Sequence, residues 1–297
     1  MSPSRRFRIR PAAIRQTLHR VRRHPANAAA PNRAVLRVVL AELRARATGR
    51  PVEVPVGRSQ RILAHLHRGG SWRAVLANPP DHAEMVLWRE LLGPGDLFVD
   101  VGANAGVYTL WALDCGARVV AVEPDPEMAR QLRANLAVNG ATAEVHEAAL
   151  AASAGTARLG GPDLLTRRLL PDAATDGDTV SVTTLDDVLG DRHAHGVKID
   201  VEGHERRVLE GATRALDERR IDVLQLEWND TCHDALGEGR GPVAALLRAA
   251  GYVLVRPGPG GELGVEPDDV ALGSDVFAVR PELLEARGRG PTPGPTS

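Results

Sequence analysis

Apolar residues recur along this chain with two periods, and the points where the period changes outline most of its elements. Continuous apolar runs at Leu97 to Val101, Arg118 to Val122, Gly196 to Val201, Ile221 to Trp228, Tyr252 to Arg256 and Val276 to Val279 read as buried strands, with a shorter one at Ala143 to His146. Helical spacing falls between them. Val107, Leu110, Trp111 and Leu113 mark one helix, and Met128, Leu132, Leu136 and Val138 mark another that starts at Asp125-Pro126 and stops at Asn139-Gly140. A third runs from about His204 to Leu216, and Thr184 caps a short one through Leu189. Strands alternating with helices predict a parallel sheet covered on both faces.

The flanks read differently. Val35, Leu36, Val39, Leu40 and Leu43 repeat at helical spacing with arginines opposite, which predicts an amphipathic helix over 33–46. Val52 to Val56 and Arg61 to Leu66 suggest a short hairpin, and Ala83, Val86, Leu87 and Leu91 a helix halted by Gly93-Pro94-Gly95. Residues 1–31, broken by prolines, are expected to hold at most one short helix, and residues 155–178 to form a loop or irregular hairpin near a pocket. The tail from Ala286 to Ser297 is expected to be disordered.

Composition narrows the class. At 297 residues, 43% hydrophobic and 25% charged, the chain can bury one full α/β core and little more. Two cysteines, Cys115 and Cys232, make neither a disulfide framework nor a zinc spacing, so a cytoplasmic, reducing setting is expected. The first 50 residues hold 13 arginines against one acid, Glu42, without an apolar leader or a membrane-length run. Nucleic acid and anionic lipid are both conceivable contacts for such an arm, but it lacks interleaved aromatics and any DNA-reading module. Nucleic acid is therefore not expected as a partner, and the arm is expected to be a solvated, partly helical lead-in that docks on the acidic body. Of 37 basic residues only Lys198 is lysine, which reads either as a position that needs a slim stem or a point charge or as a chance survivor of a composition that favours arginine.

The chemistry concentrates where the first core strand ends. Val99-Asp100-Val101-Gly102-Ala103-Asn104-Ala105-Gly106 is a strand entering a glycine turn, and Glu123, 17 positions past Gly106, ends the next strand where a ribose-binding carboxylate belongs. A dinucleotide fingerprint would need glycine at 104 and 107, where this chain has Asn104 and Val107. Asp100 would repel a pyrophosphate and attract a cation. S-adenosylmethionine, with a sulfonium, an ammonium and a ribose diol, meets that demand better than a nicotinamide dinucleotide. A nicotinamide-dependent oxidoreductase and a non-catalytic cofactor-binding accessory protein stand as the alternatives.

A second signature follows. Val197-Lys198-Ile199-Asp200-Val201-Glu202-Gly203-His204-Glu205 and Val208-Leu209-Glu210-Gly211-Ala212, with the glycine turn, Val122-Glu123-Pro124 and Thr184-Leu185-Asp186-Asp187, resemble the FkbM family of S-adenosylmethionine-dependent methyltransferases over about residues 82–280. The resemblance implies a class I, Rossmann-like, doubly wound α/β sheet of seven strands with the last antiparallel, and O-methylation of a hydroxyl on a sugar or polyketide-type natural product. It divides the chain into a basic helical extension (1–81), the methyltransferase domain (82–285) and a tail (286–297). It carries cofactor binding to Asp100, Gly102, Asn104, Gly106, Glu123 and Pro124, and more weakly to Glu147 for adenine. Asp200 is the first candidate for base or acceptor orienter and His204 the second; Glu227 is a substrate ligand or a partner of Lys198. Glu202 and Glu205 suit a helix N-terminus. Asp200, Glu202, His204 and Glu227 also read as a metal constellation, but no metal is assigned, and His82, His193 and His195 are expected at the surface.

Overall fold

The computed structural model describes residues 11–66, 70–161, 167–170, 176–228, 240–258, 263–265 and 275–286, with the side chains of 11–13 and 265 excepted. The expected strands assemble into one sheet. Its central members are β3 (Leu97–Val101), β4 (Arg118–Val122), β5 (Glu144–His146), β10 (Ala194–Ile199), β11 (Ile221–Leu226), β12 (Val253–Pro257) and β14 (Val276–Val279). They lie in the order β12-β14-β11-β10-β3-β4-β5, with β14 antiparallel to both neighbours and the other pairings parallel. This is the seven-stranded doubly wound sheet, with its last strand antiparallel, that the resemblance implies. One strand more than expected is present: β13 (Leu263–Val265) pairs antiparallel on the outside of β12, within the stretch read as a turn.

The central strands are mostly apolar because helices cover both faces, with Asp100, Lys198 and Gln225 as buried polar exceptions. All five residues of β3 are buried. One face packs under α4 (His82–Leu91), α5 (Val107–Asp114) and α6 (Pro126–Val138), where Trp88, Phe98 and Phe277 stack edge-on or tilted in the core. The other face is covered by α7 (Leu185–Leu189), α8 (Glu205–Glu210), α9 (Thr213–Asp217) and α10 (Gly241–Ala249). Capping follows the sequence. Asp125 accepts from the amides of Glu127 and Met128 at 2.8 and 3.1 Å, and the Thr184 hydroxyl accepts from Asp187 N at 3.0 Å.

Three expectations are corrected or extended. The helix over 204–216 is two helices, α8 and α9, because a Cβ on Gly211 would stand 2.1 Å from the Ala151 carbonyl oxygen and the chain turns there to pass that backbone. Residues 155–178 take up the irregular-hairpin alternative and extend it: among the described residues β7 (Gly155–Gly160) pairs antiparallel with β8 (Arg168–Leu169) and β9 (Asp178–Thr183), in a small sheet with β6 (Ala149–Leu150). The third concerns the amino-terminal helices. α1 (Pro11–Arg23) and α2 (Pro31–Thr48) pack together, but α2 buries Ala34, Val38, Ala41 and Ala45 and leaves its leucines in solvent. Small residues let the helix sit close to the body, and that proximity decided its orientation.

The hairpin of β1 (Val52–Val56) and β2 (Gln60–Ala64) packs on α5 and α6. Asn135 of α6 and its C-cap residue Asn139 accept from the amides of Leu63 and Arg61 at 2.8 and 2.7 Å. Packing is therefore continuous across residue 81. The final helix α11 (Pro281–Ala286) was not expected; residues 1–10 and 287–297 lie outside the described residues.

Candidate active site

The order of the sheet reverses between β3 and β10, and the turns leaving these two strands meet there at the carboxyl edge, where open α/β sheets bind ligands. The contact is close. Gly102 has φ +77°, and a Cβ on it would lie 1.9 Å from the Asp200 carbonyl oxygen, so only glycine lets the two turns touch. The amides of Gly102 and Ala103 donate to Val122 O at 2.9 and 3.1 Å, tying the turn to β4. Asn104 also takes a positive φ, 50°, with its Oδ1 accepting from the amides of Ala105 (2.8 Å) and Gly70 (3.0 Å). An asparagine in this conformation stabilises the turn and fastens the amino-terminal segment over it. Gly106 caps α5.

Glu123 braces the same turn from β4. Its Oε2 accepts from Asn104 N at 2.7 Å and its Oε1 from Asp125 N at 2.8 Å, leaving one lone-pair direction on each oxygen for a ligand. Burial pushes its pKa up to about 7 despite those two amides. Asp100, 1% exposed, accepts from the Thr109 hydroxyl at 2.7 Å through Oδ2, while its Oδ1 has no partner among the described residues. A buried carboxylate oxygen without a donor is costly unless a ligand supplies one.

Opposite stands the carboxyl end of β10. Lys198 is buried, with its ammonium 2.7 Å from Asp200 Oδ2 and 4.7 Å from the centre of the Tyr108 ring. Burial alone would lower its pKa, but Asp200 and Asp100 outweigh it and hold the ammonium charged. Burial acts on Asp200 in the raising direction, and Lys198, with Arg73, brings it below the usual carboxylate range. The Asp200 carboxylate also hydrogen-bonds the Glu227 carboxyl. Glu202, at φ +55°, is raised to about 7 by burial and by the charges of Asp200 and Glu205. His204, 4% exposed, has its Nε2 2.9 Å from Leu169 O, which requires the proton on Nε2 and leaves Nδ1 an acceptor without a partner among the described residues. Burial lowers its pKa, keeping the ring neutral. Glu205 does more than face a helix terminus: it accepts from Gly203 N at 3.0 Å and pairs with the buried Arg240 at 2.8 Å, which fixes the loop carrying Glu202 and His204.

Asp100, Gly102, Asn104, Glu123, Pro124, Asp200 and His204 line one cavity of about 200 Å³. Gly106 is not on its wall and serves as the N-cap of α5. Glu147 is not brought to this cavity: it is exposed and paired with Arg133 at 2.7 Å, while the next residues, Ala148 to Leu150, form the wall. Sequence reasoning missed Gly70, Arg73 and Asp81 from the amino-terminal segment and Arg167 and Arg168 from the small sheet, all on the cavity wall. No motif marks them; only the solitary lysine gave advance notice of a wall residue outside the expected set.

Carboxylate oxygens of Asp200, Glu202 and Glu227 come within 4.8 Å of one another, as the metal reading expected, but Lys198 already supplies the neutralising charge and His204 is not in the group. At the far edge of the sheet His193, His195 and Asp222 also cluster. There Leu97 N donates to His195 Nδ1 at 3.1 Å, so the neutral ring carries its proton on Nε2, facing Asp96, and offers no lone pair to a metal.

A doubly wound sheet in this strand order, with a glycine turn and an acidic strand end enclosing a cavity at its reversal point, defines the class I methyltransferase architecture. The chain belongs to the FkbM methyltransferase family: the model of the methyltransferase FkbM domain matches residues 100–254. It is 32% identical over 226 residues to 31-O-demethyl-FK506 methyltransferase FkbM of Streptomyces tacrolimicus, covering 63% of this chain and 81% of that protein. A 71-residue stretch is 42% identical to ribosomal RNA small subunit methyltransferase A of Kineococcus radiotolerans, 24% of each chain. Among solved structures, an rRNA methylase of Streptococcus thermophilus aligns at 14% identity and a TM-score of 0.38, over 67% of this chain and 95% of that one. The protein is a methyltransferase, and the nicotinamide alternative falls away.

Proposed function

We propose that this methyltransferase uses S-adenosylmethionine and methylates a hydroxyl oxygen of a small-molecule or glycan acceptor, a sugar or polyketide-type compound. The observation that carries the reading is the buried Asp100 Oδ1, without a partner among the described residues, on the same cavity wall as Glu123 and Asp200. Asp100 suits the cationic end of such a cofactor, and the two open lone-pair directions of Glu123 suit a ribose diol. When bound, the cofactor supplies a methyl carbon already activated by its sulfonium. The relative from Streptomyces tacrolimicus is named for an O-demethyl compound, which supports oxygen as the atom methylated.

The residues of this chain then have to orient the acceptor and take its proton. Asp200, kept ionised by Lys198, accepts a hydrogen bond from the acceptor hydroxyl and aligns the oxygen. A carboxylate with a lowered pKa holds a proton poorly, so the proton passes to a neighbour. Glu202, at about 7, is matched to neutral pH, and the open Nδ1 of neutral His204 is the second receiver. Lys198 is a positioning residue. No metal is assigned, and a cytoplasmic setting goes with the reading.

The test is a turnover assay. The protein is incubated with S-adenosylmethionine and a panel of hydroxylated sugars and polyketides, with mass spectrometry reporting methylated products and calorimetry reporting binding. Binding of S-adenosylmethionine without NAD binding, and a product heavier by one methylene on oxygen, are expected. Cofactor binding without turnover across the panel would favour the accessory alternative, and methylated ribosomal RNA in a parallel reaction would replace the small-molecule acceptor.

A further inference from the structure

Helix α2 turns its large aliphatic residues away from the protein. Leu36, Val39, Leu40 and Leu43 are 57%, 38%, 56% and 59% exposed, while the body-facing positions are the small Ala34, Val38, Ala41 and Ala45. At about 100° per residue the four large side chains fall in one stripe, opposite the alanines. Ile14 on α1 is a further exposed aliphatic, at 45%. By the same helical step Arg33 and Arg44 border the stripe on one side and Arg46 on the other. Glu42, the one acid among the first 50 residues, is paired with Arg46. A contiguous aliphatic stripe facing water marks a surface that something covers.

The arginine border discriminates among occupants. A second copy packed stripe to stripe about a two-fold axis would set Arg33 and Arg44 near their own equivalents, and Glu42 is already engaged. A nucleic acid backbone would satisfy the arginines and leave four aliphatic side chains against phosphates and water. A bilayer with anionic headgroups meets both halves of the pattern. We propose that α2, with α1 beside it, is an interfacial membrane-binding element that lies in the plane of an anionic bilayer surface. Its leucines enter the headgroup–acyl boundary and its arginines reach lipid phosphates. Among the described residues no helix is long and apolar enough to cross a membrane, so attachment is peripheral. None of this depends on the methyl-transfer reading.

The test is co-sedimentation of the full chain with vesicles of phosphatidylglycerol and phosphatidylcholine in about equal parts, compared with phosphatidylcholine alone. The anionic vesicles are expected to bind about tenfold or more tightly, with binding weakened by salt. Leu36→Glu/Leu40→Glu/Leu43→Glu is expected to abolish sedimentation while unfolding at the parent's temperature, because all three side chains are already in solvent. Arg33→Glu/Arg44→Glu should lower the preference for anionic lipid and leave the fold intact. Failure of the parent to sediment with anionic vesicles, or sedimentation unchanged by the leucine variant, overturns the proposal. So does a dimer in solution that the leucine variant dissolves, which would assign the stripe to a second copy.

Discussion

Lys198 is the only lysine of the chain, and its surroundings explain why arginine does not take its place. The stem runs buried beneath Tyr108 and delivers a point charge between Asp100 and Asp200, a space that gives a planar guanidinium no room to use its fork. Lys198→Met should therefore let the Asp200 pKa rise, and the acidic limb of the kcat/KM profile should move to higher pH. Asp200→Asn keeps the shape and loses the acceptor charge; turnover is expected to fall by about 10² to 10⁴ while calorimetry shows cofactor binding retained. Glu123 gives a pH prediction with a definite sign. A carboxyl raised to about 7 in the folded state favours its protonated form, so its contribution to stability is present below its unfolded pKa and is lost as pH rises through about 7. In the proposed binding mode ribose hydroxyls donate to the ionised form, so S-adenosylmethionine affinity should increase over that same window. Glu123→Gln should flatten the pH dependence, which separates it from Glu202, and Glu123→Ala should weaken binding about tenfold to hundredfold.

Elements near the site are held by a few buried polar contacts, and these were the least legible part of the sequence. Glu205 reads as a helix-terminus acid, yet its carboxylate ties the 201–203 loop to α10 through Arg240, some 35 positions away. Arg240→Met should leave Glu205 buried and unpaired, at a cost of about 3 to 5 kcal/mol read from the denaturant midpoint. The strands and caps, in contrast, follow from local pattern: continuous apolar runs, Asp125 before Pro126, and Thr184 before Leu185. The periodicity around Gly211 predicted one helix because it records which positions are apolar and says nothing of the Ala151 carbonyl that blocks the path.

Across the whole molecule, the amino-terminal arm is more firmly attached than its composition suggests. Val21 is buried, His24 Nε2 lies 2.8 Å from Pro80 O, and Asn27 donates to Val21 O and Leu76 O at 2.9 Å. From these contacts, deletion of residues 1–31 should lower the melting temperature by about 4 to 8 °C while the core sheet still folds and binds cofactor. Because Gly70, Arg73 and Asp81 reach the cavity from the region counted as the extension, activity should suffer far more from removing residues 1–81. EDTA should leave turnover unchanged, since Lys198 takes the place a cation would fill among the carboxylates.

What the sequence by itself determined was everything carried by neighbours in the chain: the alternation of strand and helix, the glycine turn at Gly102, the acidic ends at Glu123 and Asp200, and the family signature. These are short-range constraints, because backbone conformation, capping and burial period depend on residues a few positions apart. Only the tertiary structure decided which distant groups meet. It set Lys198 against Asp200 and Asp100, brought Gly70 and Arg168 onto the cavity wall, turned Glu147 out to Arg133, and faced the leucines of α2 to solvent. An apolar stripe specifies a helix but not its partner; the partner is chosen by how closely two surfaces can approach, and on α2 the alanines approach more closely than the leucines.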